Sequence, residues 1–401
     1  MKRRPSDSDV VAVAAARTPI GSFGGTLRDV PAYDLGAAAI RAAVVRSGVA
    51  PESIGSAIIG NCRQAGNGPN PARTAAVRGG LALSTPVFTV NMACPSGLKV
   101  AILAARELAS GETDFIVAAG MESMSTMPYL LKGARWEGFK AGDKTLSDSW
   151  SDTVDPLCGF GMGITAENQA AKYDISRQQQ DAYALLSQQR AAAARDSGLL
   201  DPEIVPYRLE PTREHPEGRE LARDESLRPN STLERLTQLK PAFRAGGTVT
   251  AGNACTMGDA AGALVLTTRE KARSEGLQPL FSIVSTAEAA VDPALMGDGP
   301  AASIPLALKR AGMVLADMDF IEVNEAFAAQ ILSNERALNW DRDRLNVWGG
   351  AIAFGHPTGF SGVRLLTTLV SILRHHDKEY AVASVCGGGG VTAAVVVRRE
   401  S

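Results

Sequence analysis

Cys94 lies in Val90-Asn91-Met92-Ala93-Cys94-Pro95-Ser96-Gly97, where the β-branched run 87–90 gives way to an Ala/Leu-rich helical pattern ending at Ser110-Gly111. A thiol at a helix start meets unpaired backbone N–H groups and the positive end of the helix dipole. Both favour the thiolate, so Cys94 is a candidate nucleophile. On burial statistics alone a lone cysteine is a small buried hydrophobe roughly three times in four. Two distant segments change that weighting. Gly355-His356-Pro357 offers an imidazole base before a helix, and Cys386 offers a second thiol ahead of four consecutive glycines. Asn324-Glu325-Ala326-Phe327 adds a carboxamide and a carboxylate at the end of a strand-like run. Each signal is weak alone, since a glycine run can be a plain turn and a lone histidine is more often a structural hydrogen-bonder. Together they supply a nucleophile, a base and a second acid/base, the parts of covalent catalysis by a thiolate.

These groups are far apart in sequence, so a regular scaffold must bring them together. Strand-like runs alternate with Ala-rich amphipathic segments, which predicts an α/β fold. The early pattern gives strands over 10–16, 57–59, 87–90 and 115–119, with helices over 35–47, 73–78 and after Cys94. The last third repeats the rhythm, with strands over 281–285, 320–323, 344–347 and 381–385 and helices over 304–311, 326–337 and 363–374. Marker positions recur at a nearly constant offset: Asn61 and Asn324 are 263 apart, Cys94 and His356 262, Gly120 and Gly387 267. That regularity predicts two copies of one α/β unit. Packed about a pseudo-twofold axis, they would set Cys94 and His356 facing each other.

Between the copies, residues 121–252 carry loop-like stretches (143–163 and 211–231) and one long helical pattern over 176–197. That helix opens with the capping-box spacing Ser176-Arg177-Gln178-Gln179 and closes near Gly198. A long irregular insertion in a regular α/β chain is more often functional than decorative, and this one reads as a lid that helps to bind substrate.

Composition narrows the class. The 401 residues suffice for two or three domains with substantial cores. A net charge of −2 leaves no electrostatic footprint for nucleic acid or an anionic membrane. Basic residues cluster only at Lys2-Arg3-Arg4, which reads as a solvated tail. No apolar stretch reaches membrane-spanning length and no signal-peptide core follows Met1, so a cytoplasmic location is expected. Five scattered cysteines (Cys62, Cys94, Cys158, Cys255 and Cys386) with no C-x-x-C pair read as free thiols rather than a disulfide framework or a structural metal site.

The combined motifs closely resemble the thiolase family, acyl-CoA acyltransferases that make or cleave β-ketoacyl-CoA. The likeness runs from Arg17-Thr18-Pro19-Ile20-Gly21-Ser22-Phe23-Gly24-Gly25 through Gly120-Met121-Glu122-Ser123-Met124-Ser125, Met162-Gly163-Ile164-Thr165-Ala166-Glu167-Asn168, Lys240-Pro241-Ala242-Phe243 and Thr248-Val249-Thr250-Ala251-Gly252-Asn253-Ala254 to the C-terminal glycines. It implies a thiolase-like duplicated α/β unit, a layered αβαβα core with an inserted loop domain. The expected division is an N-terminal core half over 1–122 completed by 253–276, a coenzyme A-binding loop domain over 123–252, and a C-terminal core half over 277–401. By resemblance, Cys94 takes the acyl group, His356 activates it, and Cys386 moves the proton at the α-carbon. His356 and a water held by Asn324 would stabilise the enolate oxygen. The N–H groups of Cys94 and Gly388 would hold the tetrahedral oxyanion. Phe243, Ala251, Met296, Ala326 and Phe327 match positions lining the pantetheine tunnel, Met162 one near the acyl group, and Arg228 one near a nucleotide phosphate. The family implies coenzyme A thioesters as substrates, no bound metal or redox cofactor, and a homo-oligomer, dimer or tetramer, with 132–143 resembling the tetramer-contact region.

Several positions depart from the family pattern. Many members carry His where this chain has Gly161, Ser where it has Cys255, and Asn where it has Trp348, while Phe354 and Phe360 replace the usual Leu and Ala. None removes a catalytic group, so the departures bear on acyl specificity: Gly161 is expected to enlarge or dry one wall, and the aromatics to shrink another or reshape a subunit interface. The reading is a biosynthetic or broad short-chain thiolase working by a ping-pong mechanism. Its nearest alternative is a degradative 3-ketoacyl-CoA thiolase for longer or aromatic chains. A carrier-protein ketoacyl synthase fits less well, because that relative pairs two histidines with one cysteine. A non-catalytic acyl-CoA-binding subunit is opposed by the intact Cys94, His356 and Cys386.

Overall fold

The computed structural model describes residues 6–149, 154–213 and 215–400. The basic run Lys2-Arg3-Arg4 lies outside them, as do residues 150–153 of the 143–163 loop and residue 214 of the 211–231 loop. Among the described residues no helix is long and apolar enough to cross a membrane.

The main strands are β1 (Val10–Arg17), β2 (Ser56–Gly60), β3 (Val87–Val90), β4 (Phe115–Ser123), β5 (Gly258–Thr268), β6 (Phe281–Ala290), β7 (Phe320–Val323), β8 (Tyr380–Cys386) and β9 (Val391–Arg399). With the short strand Gly21–Ser22 they form a ten-stranded sheet in the order β7-β8-β9-β6-β1-β5-β4-β2-β3. Its seam is the antiparallel pairing of β1 and β6 over two residue pairs, Val11 with Ser282 and Ala12 with Phe281. Outward from the seam both halves repeat one pattern. An antiparallel neighbour comes first (β5 or β9), then a second antiparallel strand (β4 or β8), then a parallel one (β2 or β7).

Two expectations are corrected at this level. The predicted strand over 344–347 would be the counterpart of β3, but it survives only as a parallel bridge between Leu345 and Ile321. Asn346 adopts φ 44°, which ends the extended chain, and its side-chain amide takes over the pairing by bonding both the N–H and the C=O of Val323 at 2.9 Å. Conversely, β5 and β9 were not anticipated. Both are apolar on both faces and carry no period-2 signal.

The helices explain the layering. On the outer face of the first half lie α1 (Ala32–Ser47) and α2 (Pro71–Arg78), packed with Ala261, Ala263 and Val265 of β5. Between the halves lie α3 (Ser96–Ser110) and, later in the chain, the helix Thr358–His375, in one apolar cluster with Leu264 and Leu266 of β5 and Val395 and Val397 of β9. The outer face of the second half is covered by the helices Gly299–Ala311 and Ala328–Leu338, which share a cluster with Ala394 and Val396 of β9. Successive residues of one strand thus serve opposite layers, as the pleat requires, and the stack reads αβαβα. The insertion contributes α4 (Met162–Lys172) and α5 (Arg177–Asp196) among its helices, so the three later helices just described are α6 (Gly299–Ala311), α7 (Ala328–Leu338) and α8 (Thr358–His375).

The insertion is tied to the core by buried charge. Arg17, at the end of β1, donates to both carboxylate oxygens of Asp224 at 2.8 and 2.9 Å and to Glu203 at 2.8 Å. Glu325, after β7, accepts from Tyr183 and Ser187 of α5 at 2.7 and 2.6 Å. The capping box of α5 forms as expected, with Ser176 Oγ accepting from Gln179 N–H and Gln179 Oε1 from Ser176 N–H.

Candidate active site

The two central helices cross where neither has a side chain in the way. A Cβ on Gly97 would lie 2.7 Å from the Gly362 nitrogen, and one on Gly362 would lie 2.2 Å from the Leu98 nitrogen. This glycine-to-glycine approach brings the N-termini of α3 and α8 together, and with them the segments that carry Cys94 and His356. Both residues line one cavity of about 490 Å³.

Cys94 sits two residues before α3, in a turn whose preceding residue, Ala93, takes the left-handed conformation at φ 51°. Without a glycine there, the conformation costs about 1–2 kcal/mol and must be held by its surroundings. Ser96 Oγ accepts from Met92 N–H at 2.8 Å and donates to Ala93 O at 2.6 Å, and the Cys62 thiol donates to the same carbonyl at 3.0 Å. Burial pushes the Cys94 thiol up to about 11, against the downward pull of Arg63 and of the N–H groups of Gly388 and Cys94 itself. The thiolate expected from the helix start is therefore not the resting form, because desolvation outweighs the donors. A base is required.

His356 supplies it. Its Nδ1 is 2.7 Å from Ser361 Oγ, which lies 2.9 Å from Pro357 O. A hydroxyl has one proton to give. With that proton on the carbonyl, Ser361 accepts from Nδ1–H, and this network assigns the lone pair to Nε2, beside Asn324 Nδ2 at 3.4 Å. Burial, reinforced by Arg364, holds the imidazole down at about 4, so it is neutral at physiological pH. Cys386, at the end of β8, is buried, and burial with the neighbouring Cys94 pushes its thiol well above the ordinary range. The glycine run after it lies against the nucleophile: a Cβ on Gly387 would be 2.6 Å from Pro95 Cδ and 3.1 Å from the Cys94 nitrogen.

Around these groups Met162, Phe243, Cys255, Met296, Ala326, Phe327 and Gly388 line the same cavity. Phe243 meets Phe327 edge to face, with ring centroids 6.1 Å apart. Burial and the Cys94 charge push the Cys255 thiol up to about 12. Asn324 stands behind His356, fully buried, its N–H bonded to Ser384 O at 3.0 Å. Arg228 and Ala251 are exposed and do not line the cavity. The three aromatic departures are also placed elsewhere: Trp348, Phe354 and Phe360 are buried in the central apolar cluster. Phe360 fills the space left by Gly262, where a Cβ would lie 2.7 Å from its ring, so it shrinks no cavity wall. Gly161 does line the cavity, and a Cβ there would meet nothing within 4 Å.

Other residues of the site were not singled out in advance. Ser361 had a usable signal, a hydroxyl five residues after the base at a helix start. Glu122 had a weaker one, an acidic residue inside a buried strand. Its carboxylate accepts from Asn61, from the N–H groups of Cys62 and Arg63, and from Thr358 and Gly359, so it joins β4 to the start of α8. Arg63 and Asp155 also line the cavity and lie outside every motif quoted above.

The comparisons with known proteins agree with this geometry. The family model for the thiolase N-terminal domain matches residues 10–270 and that for the thiolase C-terminal domain matches residues 277–399. A probable acetyl-CoA acyltransferase of Staphylococcus epidermidis is 46% identical over 396 residues, covering 98% of this chain and 99% of its own. The crystal structure of the Bacillus anthracis acetyl-CoA acetyltransferase superposes with a TM-score of 0.95 at 40% identity, over 98% of this chain and 100% of that one. Human mitochondrial 3-ketoacyl-CoA thiolase in complex with CoA superposes with a TM-score of 0.93 at 40% identity, over 98% and 99%. With both halves of the duplicated fold matched by family models, this chain belongs to the thiolase family.

Proposed function

We propose that this acyl-CoA acyltransferase condenses two acyl-CoA molecules, acetyl-CoA foremost, or cleaves the 3-ketoacyl-CoA product by thiolysis, through an acyl-Cys94 intermediate. The observation that carries this reading is the convergence of Cys94, neutral His356, Cys386 and the Gly388 backbone on one mostly apolar cavity. His356 Nε2 takes the Cys94 proton as the sulfur attacks the thioester carbonyl. With the thiol raised and the imidazole lowered, this transfer is uphill until the carbonyl oxygen takes the negative charge. That oxygen is received by the N–H groups of Cys94 and Gly388, and coenzyme A leaves with the Cys386 proton, so Cys386 becomes the thiolate while His356 keeps the Cys94 proton on Nε2 until Cys94 departs again. In the second half-reaction Cys386 removes a proton from the α-carbon of the incoming acetyl-CoA, and the carbanion attacks the acyl-Cys94 carbonyl. A thiol held well above its ordinary range makes a thiolate strong enough for so weak a carbon acid. The opposite direction uses the same thiol as the acid that protonates the departing carbanion. His356 and a water on Asn324 hold the enolate oxygen, and the buried Asn324 Oδ1, which has no partner among the described residues, supports that part.

The division proposed from sequence, 1–122 with 253–276, 123–252 and 277–401, gives the insertion the task of holding coenzyme A, with Ala251 on the pantetheine path outside the acyl cavity and Arg228 toward a nucleotide phosphate. A soluble cytoplasmic homo-oligomer, dimer or tetramer, belongs to the same reading. The exposed Trp136 and Phe139 support it, because they lie in the 132–143 segment that resembles a subunit contact. One observation favours a second substrate range: the open space at Gly161 would admit longer or branched chains, as in the degradative thiolases.

Intact-protein mass spectrometry after incubation with acetyl-CoA tests the mechanism. Cys386→Ala should gain one acetyl group yet lose thiolysis of acetoacetyl-CoA by about 10²–10⁴-fold. Cys94→Ala should gain none. Normal thiolysis by Cys386→Ala would end the two-cysteine mechanism.

A further inference from the structure

Asp155 belongs to the insertion, where residues 155–160 close into a tight turn. Its N–H donates to Phe160 O at 2.9 Å, and its carbonyl accepts from Gly159 N–H at 2.7 Å. The side chain is buried at 6% exposure and lines the catalytic cavity. One carboxylate oxygen accepts from Leu157 N–H at 2.9 Å, within the turn. The other crosses to the C-terminal half and accepts from Gly389 N–H at 2.6 Å.

That bond falls on the residue after Gly388, whose N–H is directed at the Cys94 sulfur. Gly390 N–H reaches back to Gly387 O at 3.1 Å and Gly389 is left-handed at φ 80° and ψ 2°, the signature of a type II turn with Gly388 and Gly389 at its centre. The Gly388 donor serves the reacting centre and the Gly389 donor is held by Asp155. Four glycines in a row are the freest backbone a chain can have, and an oxyanion donor is effective only when aimed to within a few tenths of an ångström before reaction. Other hydrogen bonds at this run go to backbone atoms: Gly387 N–H to Val391 O, Gly390 N–H to Gly387 O, and Val291 N–H to Gly390 O. Among the described residues, Asp155 is the one side chain besides Cys94 that hydrogen-bonds to it.

We propose that Asp155 is a positioning residue that clamps the glycine turn, so that the Gly388 N–H stays aimed at the oxyanion formed on Cys94. The inference rests on the proposed acyl-Cys94 mechanism. It makes docking of the insertion part of assembling the oxyanion hole, because the turn that carries Asp155 comes from one segment and the donor from another.

The test compares Asp155→Ala, Asp155→Ser and Asp155→Asn by pre-steady-state acetylation with acetyl-CoA, titration calorimetry with coenzyme A, and hydrogen exchange of the peptide spanning 387–390. Asp155→Ala should slow acetylation about 10- to 100-fold, less than full removal of an oxyanion donor, which costs about 10²–10³-fold. Its dissociation constant for coenzyme A should stay within about twofold, and exchange should rise at the glycine run. Asp155→Asn keeps an acceptor oxygen in place and should recover acetylation to within a few-fold. If Asp155→Ala does not fold, Asp155→Ser, whose hydroxyl is too short to reach Gly389, carries the same expectation. Acetylation unchanged in Asp155→Ala or Asp155→Ser overturns the inference. So does a loss matched by weaker coenzyme A binding, or one that Asp155→Asn does not repair. Cys94→Ala separates the two levels: acetylation of that variant would defeat the underlying mechanism, whereas its inertness beside a fully active Asp155→Ala would defeat the clamp alone.

Discussion

The residue five positions after His356 prepares it for the proposed role of base. Ser361 spends its proton on Pro357 O and accepts from Nδ1–H, which leaves the lone pair on Nε2, beside Asn324 Nδ2 at 3.4 Å. Burial and Arg364 keep the ring neutral down to about 4. Acetylation through His356 needs neutral imidazole, so falling pH removes activity only as it passes through that value, not through 6.5. The rate of Cys94 acetylation should therefore be flat from about pH 8 to about pH 5 in rapid-quench measurements, with far-UV circular dichroism monitoring the fold. An acid limb centred near 6.5 would assign the base elsewhere. Gly161 sets a second expectation at this scale. Because a side chain there enters open cavity, Gly161→His should lower kcat/KM for longer or branched 3-ketoacyl-CoA more than for acetoacetyl-CoA. One or two methylenes are worth about 1–3 kcal/mol, so the difference should be roughly 10- to 200-fold. An equal fall for every substrate would make the position structural.

Among the elements, the crossing of α3 and α8 governs the site, since Cys94 and His356 stand just before their first turns. Gly362 permits that crossing. A methyl group there would collide with the backbone of Gly97 and Leu98, which cannot rotate away as a side chain could. Gly362→Ala should therefore destabilise the fold by about 1–3 kcal/mol or more, and lower kcat as well by moving His356 relative to Cys94. Thermal melts and steady-state thiolysis read the two effects, and an unchanged melting temperature with full activity would show that the helices can part at no cost. Much of this scale was legible from sequence. The β1, β2, β4 and β8 strands, the capping box of α5 and the duplicated rhythm all carry local signals. The 344–347 segment was misread because its apolar pattern says nothing of Asn346, whose side chain replaces backbone pairing with Val323.

At the scale of the whole molecule, the sheet is one surface folded over its own central helices, and the insertion is pinned to both halves through Arg17 and Glu325. The segment around the helix Ala134–Glu137 stands outside this burial. Trp136 is 89% and Phe139 77% exposed, an arrangement a soluble chain normally hides. If these rings join copies of the chain, the double substitution Trp136→Ser with Phe139→Ser should reduce the mass seen by sedimentation velocity from tetramer to dimer. Activity should be largely retained, because neither ring lines the catalytic cavity. An unchanged mass would place the contact elsewhere.

Residue types at fixed local spacing were enough for the family, the duplicated rhythm and an insertion, and they singled out Cys94, His356 and Cys386 as candidates. Tertiary structure alone decided how those groups behave. Desolvation, which no local pattern encodes, raised Cys94 and lowered His356 and so made a base necessary. Packing sent Phe354 and Phe360 to the core and left Gly161 at the cavity wall, although all three looked like specificity changes in sequence. The bond from Asp155 to Gly389 joins positions 234 residues apart. Contacts of that kind depend on how the layers close over one another, and closure is a property of the whole packed chain.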